Sequence, residues 1–563
     1  MKLSQKTIII IALLVFFALG FVLRSFPFTK GNLDIAKPPV KTSFDVFENT
    51  GHTKWIYDTE QQKYLQPHKI TGLWVINPMN SLFYIFIAGF SKFTNVSIYQ
   101  TVYFATVLLS LLVVLAVFAL VEKYFNERIA LIAAALAFFP QAKWLFQMYI
   151  GFQYDYYAFL AIIATLFLFL HYIEKENRTT KDAVLYGLLF GALMAMIFLA
   201  HYIEFLFMPF FDVVGLWLLW KKKLSVKESV IIVFMIGIIM LPFVLYYYPL
   251  TLQGHLQGGL VGNVQGALIN KELSGHPDYF PMPRLSTALN VLGLLGAGIM
   301  FFRWKKISFG QKIVLLFIVY AILLGTSNYT LNVTGNRAER QLFSSYPIIV
   351  LLPAIGIYSI ASLLLKRFPE TTKTLGFIAI AFFIAFLAFK PAFSELEQVS
   401  NSGGFFDDSK WDALVYIRDT TPKDSLVFYL SGYEHAFAQF GERPSFGGNI
   451  GFGNTKENII KLCNGQYLEN YEGGWDIRDI NPNGYILKRK GLNSFELVQP
   501  FYNHSYYTYN HTNAPLKLFD YVVLQYKNTG FDPCMAFFLN ESIARGNQVV
   551  WNNNEMAVVK VKK

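Results

Sequence analysis

The stretch MYIGFQYDYYAFLAIIATLFLFLHY, residues 148–172, joins one aspartate to an apolar run that is long enough to cross a membrane. A helix needs about 20 mostly apolar residues to span a bilayer. Asp155 stands where the span begins, among aromatic residues and with no basic residue near it in the sequence. Two interpretations of this carboxylate stay open: a helix N-cap, which suits aspartate, and a member of a functional site at the membrane surface.

The whole chain has the composition of a membrane protein. Of its 563 residues, 54% are hydrophobic and 15% are charged, a balance that soluble proteins rarely show. We predict a polytopic α-helical membrane protein with about eleven transmembrane helices, and a shorter re-entrant or interfacial segment at 78–90. The predicted spans are 7–23, 100–121, 129–147, 156–172, 183–201, 204–220, 229–248, 286–302, 311–326, 341–365 and 374–390.

The loops between these spans predict the orientation. If the N-terminus is cytoplasmic, six connections are inner ones, and they carry 18 of the 32 Lys and Arg in residues 1–390. Such an excess of basic residues is typical of cytoplasmic loops. We therefore predict a multi-pass protein of the cell membrane whose first span is retained, because no small-residue cleavage site follows it. The six basic segments are MKLSQK, EKYFNER, EKENRTTKD, KKKLSVKE, RWKKISFGQK and KRFPETTK.

Residues 391–563 differ from the rest of the chain. They hold 16 Lys and Arg against 19 Asp and Glu, so the net charge of +11 belongs to the apolar part and does not indicate nucleic acid as a partner. If the N-terminus is cytoplasmic, an odd number of spans places this tail outside the cell. We predict a transmembrane catalytic domain, 1–390, and an extracytoplasmic α/β domain, 391–563.

The tail contains patterns of both helix and strand. Cys463 and Cys534 also lie in it, where a disulfide and two unpaired thiols are both open interpretations. The predicted elements are a helix at 411–422, strands at 425–430 and 521–526, and a hairpin at 548–561 that turns at the Asn run.

Acidic residues recur on the predicted outer loops. FDVFENTGHTKWIYD (44–58) lies in the long first outer loop, 24–99, and places Asp45, Glu48 and His52 on one face of a helix. A solvated amphipathic helix explains the same spacing. A later outer loop, NKELSGHPDYF (270–280), carries Glu272 and Asp278 and is long enough to close over a substrate.

Arginines stand at the outer end of another predicted span. NRAERQLFSSYPIIVLLP (336–353) holds Arg337 and Arg340. A planar guanidinium at this place suits a phosphate group, and snorkelling of the side chain to the membrane interface is the alternative.

These stretches, in this order, resemble a known family. Asp45 in the first outer loop, GFQYDYY at the start of a later span and an arginine before SSYPIIVLLP make the chain similar to the GT-C superfamily of membrane glycosyltransferases. It is most similar to the catalytic subunit of oligosaccharyltransferase and its archaeal or bacterial relatives. NPMNSLFYIFIAGFSKFTNVSIYQ, from Asn77, is similar to the polyprenyl-phosphate-sugar transferases of that superfamily. WDALVYIRDTTPKDSLVFYL, in the tail, resembles the start of the family's outer domain.

The resemblance implies a GT-C fold and a reaction. A sugar or glycan would pass, with inversion, from a polyprenyl-(di)phosphate-linked donor to a protein, glycan or lipid acceptor on the outer face of the membrane. Asp45 matches the aspartate that acts on the acceptor as base or metal ligand, and Asp155 matches the aspartate of the second outer loop. Arg340 matches the arginine that holds the lipid-linked phosphate. Glu272 is a looser match to the acidic residue of a mobile outer loop.

Two positions depart from the oligosaccharyltransferase pattern. The family's W-W-D-Y-G motif is replaced by FYLSGY at 428–433, without its aspartate, and its second-loop acidic pair is replaced by Asp155-Tyr156-Tyr157. Divalent cations prefer several oxygen ligands, so both departures favour a metal-independent transferase over one that acts on protein asparagine. If Mg²⁺ or Mn²⁺ binds, Asp45, Asp155 and Glu272 would hold it.

Carboxylates inside the membrane part support a rival hypothesis. Asp212 lies within a predicted span and Glu204 lies near the outer end of one, as in a transporter or flippase of lipid-linked or charged solutes. The lack of an inverted repeat and the large outer domain argue against a carrier. A non-catalytic surface receptor would need neither eleven spans nor acidic outer loops.

Overall fold

A computed structural model gives the placement of most of the membrane part and of parts of the tail. The described residues are 4–29, 50, 53–54, 56–57, 65–67, 74–76, 81–140, 153–200, 204–255, 287–330, 338–401, 408–422, 425, 427–430, 441, 443, 445–447, 486–489, 495–498, 520–527, 536, 539–540, 543–544 and 546–562.

Helices pack side by side through the membrane part, and a 3₁₀ turn, Glu204–Phe207, precedes the seventh of them. The helices are α1 (Gln5–Thr29), α2 (Ser81–Thr94), α3 (Ile98–Tyr124), α4 (Glu127–Phe138), α5 (Gln153–Glu174), α6 (Thr180–Ala200), α7 (Met208–Trp220), α8 (Val226–His255), α9 (Thr287–Phe302), α10 (Phe309–Thr330), α11 (Ala338–Ile349), α12 (Leu351–Leu364) and α13 (Glu370–Asn401).

Each predicted span contains a helix, but at 129–147 the helix ends at Phe138 and is only 12 residues long. Seven stretches are long and apolar enough to cross a membrane by length and composition: Gln5–Phe26, Gln100–Tyr124, Asp155–Glu174, Thr180–Ala200, Val226–Leu245, Ser344–Leu364 and Glu370–Ser394. The other four predicted spans fall on α4, α7, α9 and α10. The short segment predicted at 78–90 forms α2, which packs against α3 and α6. The helical membrane architecture is thus confirmed, with seven rather than eleven spans of full length among the described residues.

The outer surface of the helix bundle is apolar. Leu294 is 70% exposed, Leu363 75%, Phe386 71% and Phe302 88%. Large apolar side chains in such numbers on a surface are unfavourable in water and suit hydrocarbon. These helices therefore present their outward faces to lipid.

The six predicted inner segments lie together at one end of the bundle, which we call the basic end. Since every one of them contacts another, a single orientation places all six on one side of the membrane. Which side is cytoplasmic stays a prediction from the positive-inside asymmetry. The contacts are Gln5 Nε2 to Glu127 (2.8 Å), Arg128 to Glu370 (2.6 Å), the Tyr124 hydroxyl to Glu174 (3.1 Å), Arg178 to Glu228 (2.8 Å) and Lys223 over the Phe309 ring (4.3 Å).

The tail contains one helix and strands that belong to two sheets. The predicted helix, both predicted strands and the terminal hairpin are all confirmed, and the side-chain oxygen of Asn553 accepts hydrogen bonds from two backbone amides in the hairpin turn. The elements are α14 (Asp408–Thr420), β3 (Val427–Leu430), β4 (Ser445–Gly447), β5 (Ile486–Arg489), β6 (Phe495–Val498), β7 (Tyr521–Gln525), β8 (Gln548–Asn552) and β9 (Met556–Lys560).

Five of these strands form a mixed sheet in the order β4–β3–β7–β9–β8. β3 runs parallel to β4 and β7, whereas the other pairs are antiparallel. Trp411, Leu414 and Ile417 of α14 pack on Val523 and Val558 of the sheet. The mixed α/β character predicted for the tail is therefore confirmed.

A second sheet joins the tail to the first outer loop. Two strands of that loop, β1 (Leu65–Pro67) and β2 (Trp74–Ile76), continue into β5 and β6 of the tail. β2 pairs antiparallel with β5, with Val75 opposite Ile486. The loop and the tail thus lie on the same side of the bundle, as predicted for two outer segments.

The predicted domain boundary falls inside a helix. α13 continues through Pro391 to Asn401, so the change of composition at 390 does not mark the end of a structural element. The division of the chain into 1–390 and 391–563 stays a prediction. Both cysteines, Cys463 and Cys534, lie outside the described residues.

Two glycines let α9 and α12 cross at close range. A methyl group at Gly296 would overlap the backbone carbonyl of Leu352, and one at Gly356 would overlap that of Leu292. Small residues are common where membrane helices approach closely. A methyl group at Gly298, on the same helix, would meet nothing within 4 Å.

We predict that Gly296→Ala destabilises the protein and that Gly298→Ala does not. The added methyl group at 296 must push the two helices apart, which costs about 1–3 kcal/mol for an overpacked contact. Thermal melting of the detergent-solubilised protein measures the difference. Equal melting temperatures of the two variants would contradict the close crossing.

Candidate functional site

Three charged side chains are buried among the described residues of the membrane part, and all three lie at the end opposite the basic end. Arg24 is 3% exposed, Asp155 2% and Glu204 0%. Arg24 lies near the end of α1 and Asp155 near the start of α5, in each case at the end of the helix that is far from the basic segments. Glu204 follows α6, whose other end adjoins a basic segment. We call these three residues the buried charged layer. Ionisable groups buried at membrane depth are unfavourable unless they are paired, and they mark functional sites.

Asp155 is the third residue of α5, so it lies inside the first helical turn rather than before it as an N-cap. A negative charge here interacts favourably with the helix dipole. One turn further along, the Phe159 ring packs edge-on against Phe207, with ring centres 5.8 Å apart. This contact fixes the start of α5 against the 3₁₀ turn that holds Glu204.

Glu204 and Asp155 flank that aromatic contact on its outer side. In a 3₁₀ turn, side chains three residues apart eclipse each other, so Glu204 lies directly outward of Phe207. Asp155 lies one α-helical turn outward of Phe159, on the same face of α5. Both segments run from the outer end toward the basic end, and the two carboxylates are therefore at a similar depth.

Arg24 binds the end of a neighbouring helix. Its guanidinium donates to the carbonyls of Phe138 (2.6 Å) and Ala137 (3.2 Å), and to Gly20 of its own helix (3.4 Å). The last carbonyls of a helix have no partner within the helix, and a cation at that end also complements the dipole. Arg24 thus caps the C-terminal end of α4.

Tyr346 of α11 completes this cap. Its hydroxyl donates to the carbonyl of Leu136 (3.2 Å), in the same final turn of α4. The ring is 4% exposed. The end of α4 therefore joins α1 to α11, the helix that carries Arg340.

Tyr156 follows Asp155 in α5 and is buried. Its hydroxyl lies near enough to Arg24 and to Asp155 for both charges to act on it, and the hydroxyl of Tyr346 lies near Arg24 in the same sense. Arg24 and Asp155 are therefore both close to Tyr156.

Glu204 is held from the opposite side by α11. The hydroxyl of Ser344 donates to Glu204 Oε1 at 3.0 Å, and Ser344 is itself 2% exposed. α11 also packs against α3, α4 and α5. One helix therefore contacts the elements that carry Asp155, Glu204 and the Arg24 cap.

Only part of the predicted site falls on described residues. Asp155 is buried near the start of α5, and Arg340 lies on α11, one turn before Ser344 and on the same face of the helix. The assignment of both to a site stays a prediction. The remaining predicted site residues lie outside the described residues: Asp45, Glu48, His52, Glu272, Asp278 and Arg337. Of the predicted helix at 44–58, Thr50, Thr53, Lys54, Ile56 and Tyr57 are described and helical.

The described residues contain no group of three or more His, Cys, Asp or Glu side chains that could hold a metal ion. Asp155 is the one described member of the predicted ligand set, since Asp45 and Glu272 lie outside that part of the chain.

Sequence reasoning did not single out Arg24, Ser344 or Tyr346, which lie in or next to the buried charged layer. A signal for Arg24 was present: an arginine at the predicted outer end of a span runs against the positive-inside asymmetry. Ser344 and Tyr346 gave no such signal, since a hydroxyl within an apolar span is common and its partner depends on how the helices pack.

We predict that Arg24→Gln lowers the stability of the protein by about 3 kcal/mol or more, because it leaves buried helix carbonyls without a charged donor. The matched control is Arg303→Gln, at an exposed arginine of the basic end. Thermal melting of both purified variants measures the effect. An Arg24→Gln variant that melts with the control would show that the cap contributes little.

Comparison with known proteins shows the fold. The apo oligosaccharyltransferase of Archaeoglobus fulgidus aligns with 94% of this chain and 71% of its own, with a TM-score of 0.60 and 14% identity. AglB from the same organism, in complex with an inhibitory peptide and a dolichol-phosphate, aligns with 80% of this chain at a TM-score of 0.57 and 14% identity. A structure of the A. fulgidus enzyme with Zn and sulfate aligns with 78% at 0.55 and 16% identity.

The chain covers 65% of the length of that AglB structure. No protein-family profile matches the chain, and no curated protein matches it by sequence. The structural likeness extends over most of this chain, and the GT-C fold implied by the sequence resemblance is therefore confirmed.

Proposed function

We propose that this protein is a membrane glycosyltransferase that transfers a sugar or glycan from a polyprenyl-(di)phosphate-linked donor to an acceptor on the outer face of the membrane. The observation that carries the proposal is the burial of Asp155 and Arg24 in one charged layer at one end of a GT-C fold. An enzyme with this fold has been solved with a dolichol-phosphate, which supports a lipid-linked phosphate as the donor. The apolar outer surface of the bundle would leave the polyprenyl chain in the bilayer.

The donor phosphate is the leaving group in this reaction. The bond between the anomeric carbon and the phosphate oxygen breaks, and its electron pair stays on that oxygen. The acceptor oxygen or nitrogen bonds to the same carbon from the opposite side, which inverts its configuration. Arg340, with Arg337 three residues before it, would stabilise the charge that develops on the phosphate, because fixed cations act strongly where water is excluded.

A carboxylate is needed on the acceptor side. Asp45 would take the proton that the acceptor loses as it attacks. Asp155, at the start of α5, would orient the acceptor or hold Asp45 in place. Of the other candidates, Glu48 and His52 would share the acceptor side with Asp45. Glu272 and Asp278 would join them if their loop closes over the substrate.

A divalent cation would add positive charge beside the phosphate. Asp45, Asp155 and Glu272 would hold Mg²⁺ or Mn²⁺ if one binds, and a structure of the A. fulgidus enzyme contains Zn. The sequence Asp155-Tyr156-Tyr157 supplies one carboxylate in place of a pair, which favours transfer by the protein's own residues.

The class of acceptor separates two versions of this proposal. An oligosaccharyltransferase acts on protein asparagine, and the sequon motif W-W-D-Y-G is replaced here by FYLSGY. The first three residues of that segment, Phe428–Leu430, form the greater part of strand β3. The missing aspartate favours a glycan or lipid acceptor, or a protein recognised in another way.

The direct test uses purified protein in nanodiscs with polyprenyl-monophosphate and polyprenyl-diphosphate sugars. Mass spectrometry of peptide, glycan and lipid acceptors would identify the product. We expect transfer to one acceptor class. Movement of the lipid-linked sugar across proteoliposomes without any transfer would instead identify the rival function, a flippase.

We predict that Asp45→Asn abolishes transfer, because an amide cannot accept the proton of the acceptor. The control is Asp34→Asn, an equal change in the same outer loop. Both variants should express and insert as the unaltered protein does. Full activity of Asp45→Asn would exclude Asp45 as the base.

We predict that Arg340→Ala reduces kcat/KM for the donor by about 100-fold or more, as expected when a charge-stabilising donor is removed. The effect on the acceptor KM should be small. Titration of each substrate at saturating levels of the other separates the two. An effect confined to the acceptor would contradict the assignment of Arg340 to the donor phosphate.

A further inference from the structure

Asp212 is a carboxylate on the outward face of helix α7. The exposed side chains of this helix recur at intervals of three and four residues, which places them on one face. Val213 and Leu216 are each 66% exposed and Trp220 is 74% exposed, so the carboxylate stands in an apolar strip that suits hydrocarbon. The exposed residues of this strip are Pro209, Asp212, Val213, Leu216, Trp217 and Trp220.

The opposite face of α7 is packed within the bundle. Phe210 and Phe211 contact the Phe317 ring of α10, with ring centres 5.2 Å and 6.3 Å apart. Phe211 also contacts Phe169 of α5, with ring centres 5.7 Å apart. These contacts fix the rotation of α7 about its axis, so Asp212 cannot turn toward the interior without breaking them.

Asp212 lies near the middle of the membrane. It precedes Lys221 of the basic end by nine positions, which is about 13 Å at the rise of an α-helix. Its charge acts on the hydroxyl of Tyr320 in α10, which follows Phe309 of the basic end by eleven positions, about 16 Å. The hydrocarbon of a bilayer is about 30 Å thick, so both measures place the carboxylate close to its centre.

The described residues offer this carboxylate neither a hydrogen bond nor an ion pair. Tyr320 has one hydroxyl proton and donates it to the carbonyl of Leu206 at 2.6 Å. Lysine and arginine can extend along their stems to the membrane surface, but an aspartate with a single methylene group cannot. A charge at this depth is unfavourable in lipid and is normally met by a partner. Asp212 is therefore placed to be neutralised by another molecule.

Charge and depth select the kind of partner. A cation at the centre of the bilayer must be carried there by a transmembrane helix, since ions and headgroup amines stay at the surface. The lysines and arginines of the described spans lie near the span ends, so these spans of a second copy offer no cation at this depth. A methyl group at Gly215 would meet nothing within 4 Å, and a small residue beside the carboxylate lets another helix approach closely.

We propose that the exposed face of α7 binds a transmembrane helix of another protein, and that a lysine or arginine near the middle of that helix pairs with Asp212. The pair removes an isolated charge from lipid, and the apolar strip around it buries against the partner helix. This docking face is independent of the proposed transfer reaction. It also differs from a carrier's solute path, whose acids line the interior of a bundle.

The test uses the full chain in lipid vesicles and three synthetic single-span peptides of leucine and alanine. The first peptide carries a lysine at its centre, the second carries leucine there, and the third carries its lysine near one end. Energy transfer between a fluorophore on the peptide and one on the protein measures binding. The variants are Asp212→Asn, which removes the charge and keeps the size, and the control Asp412→Asn, an equal change at an exposed carboxylate of α14 in the tail.

We expect the unaltered protein to bind the peptide with the central lysine about 10-fold more tightly than the leucine peptide, the size of one charge-assisted interaction. Asp212→Asn should remove this preference, and Asp412→Asn should keep it. The peptide with the lysine near its end should bind as the leucine peptide does, because its charge reaches the headgroups. If Asp212→Asn fails to fold, Asp212→Leu gives the same comparison.

Three results would overturn the docking face. The first is equal binding of the central-lysine and leucine peptides to the unaltered protein. The second is a preference for the central lysine that survives in Asp212→Asn. The third is energy transfer between two copies of the protein that is lost in Asp212→Asn, which would make a second copy the occupant. None of these results bears on the transfer reaction, which is measured separately.

Discussion

Inside a bilayer every backbone carbonyl needs a hydrogen-bond donor from the protein, and helix α4 ends within the bundle. The final turn of α4 meets this requirement with the guanidinium of Arg24 and the hydroxyl of Tyr346. Because these donors belong to α1 and α11, the end of α4 fixes three helices at one point. The tail repeats the solution in its own fold, where the buried Arg443 donates to the carbonyls of Arg418 and Thr421 at the end of α14.

Charge is organised differently at the two ends of the bundle. At the basic end, partners such as Lys175 and Asp182 remain accessible to water, where an ion pair contributes about 0–1 kcal/mol. Their role is to set orientation and to join the loops. At the opposite end the charges of Arg24, Asp155 and Glu204 are enclosed, where each interaction is stronger and each missing partner is more harmful. Donors fixed in an apolar site stabilise a developing charge more than water does, which suits the reaction proposed above.

The sequence predicts the elements of this fold well and their junctions poorly. Long runs of apolar residues were enough to locate the membrane helices. The run of Asn residues, with alternating apolar and polar residues on both sides, located the β8–β9 hairpin. Asp155 could be singled out because it stands among aromatic residues at the start of a span, but its burial depends on how α5 packs against its neighbours. Helix ends are harder: α13 runs past the composition change at 390 because Pro391 does not stop it. The role of Arg24 depends on the packing of α1 against α4, which no pattern within either helix encodes. The pairing of β2 with β5 joins residues far apart in the chain, and neither three-to-four-residue strand carries a signal of its own.

The most direct measurement of the central claim is an experimental structure of the protein with a polyprenyl-phosphate sugar bound. We expect the phosphate to lie against α11 at the level of Arg340, the sugar to lie beside Asp155, and the prenyl chain to follow the apolar outer surface of the helices. A lipid phosphate bound among the lysines and arginines of the basic end, with the buried charged layer closed and far from it, would contradict the account.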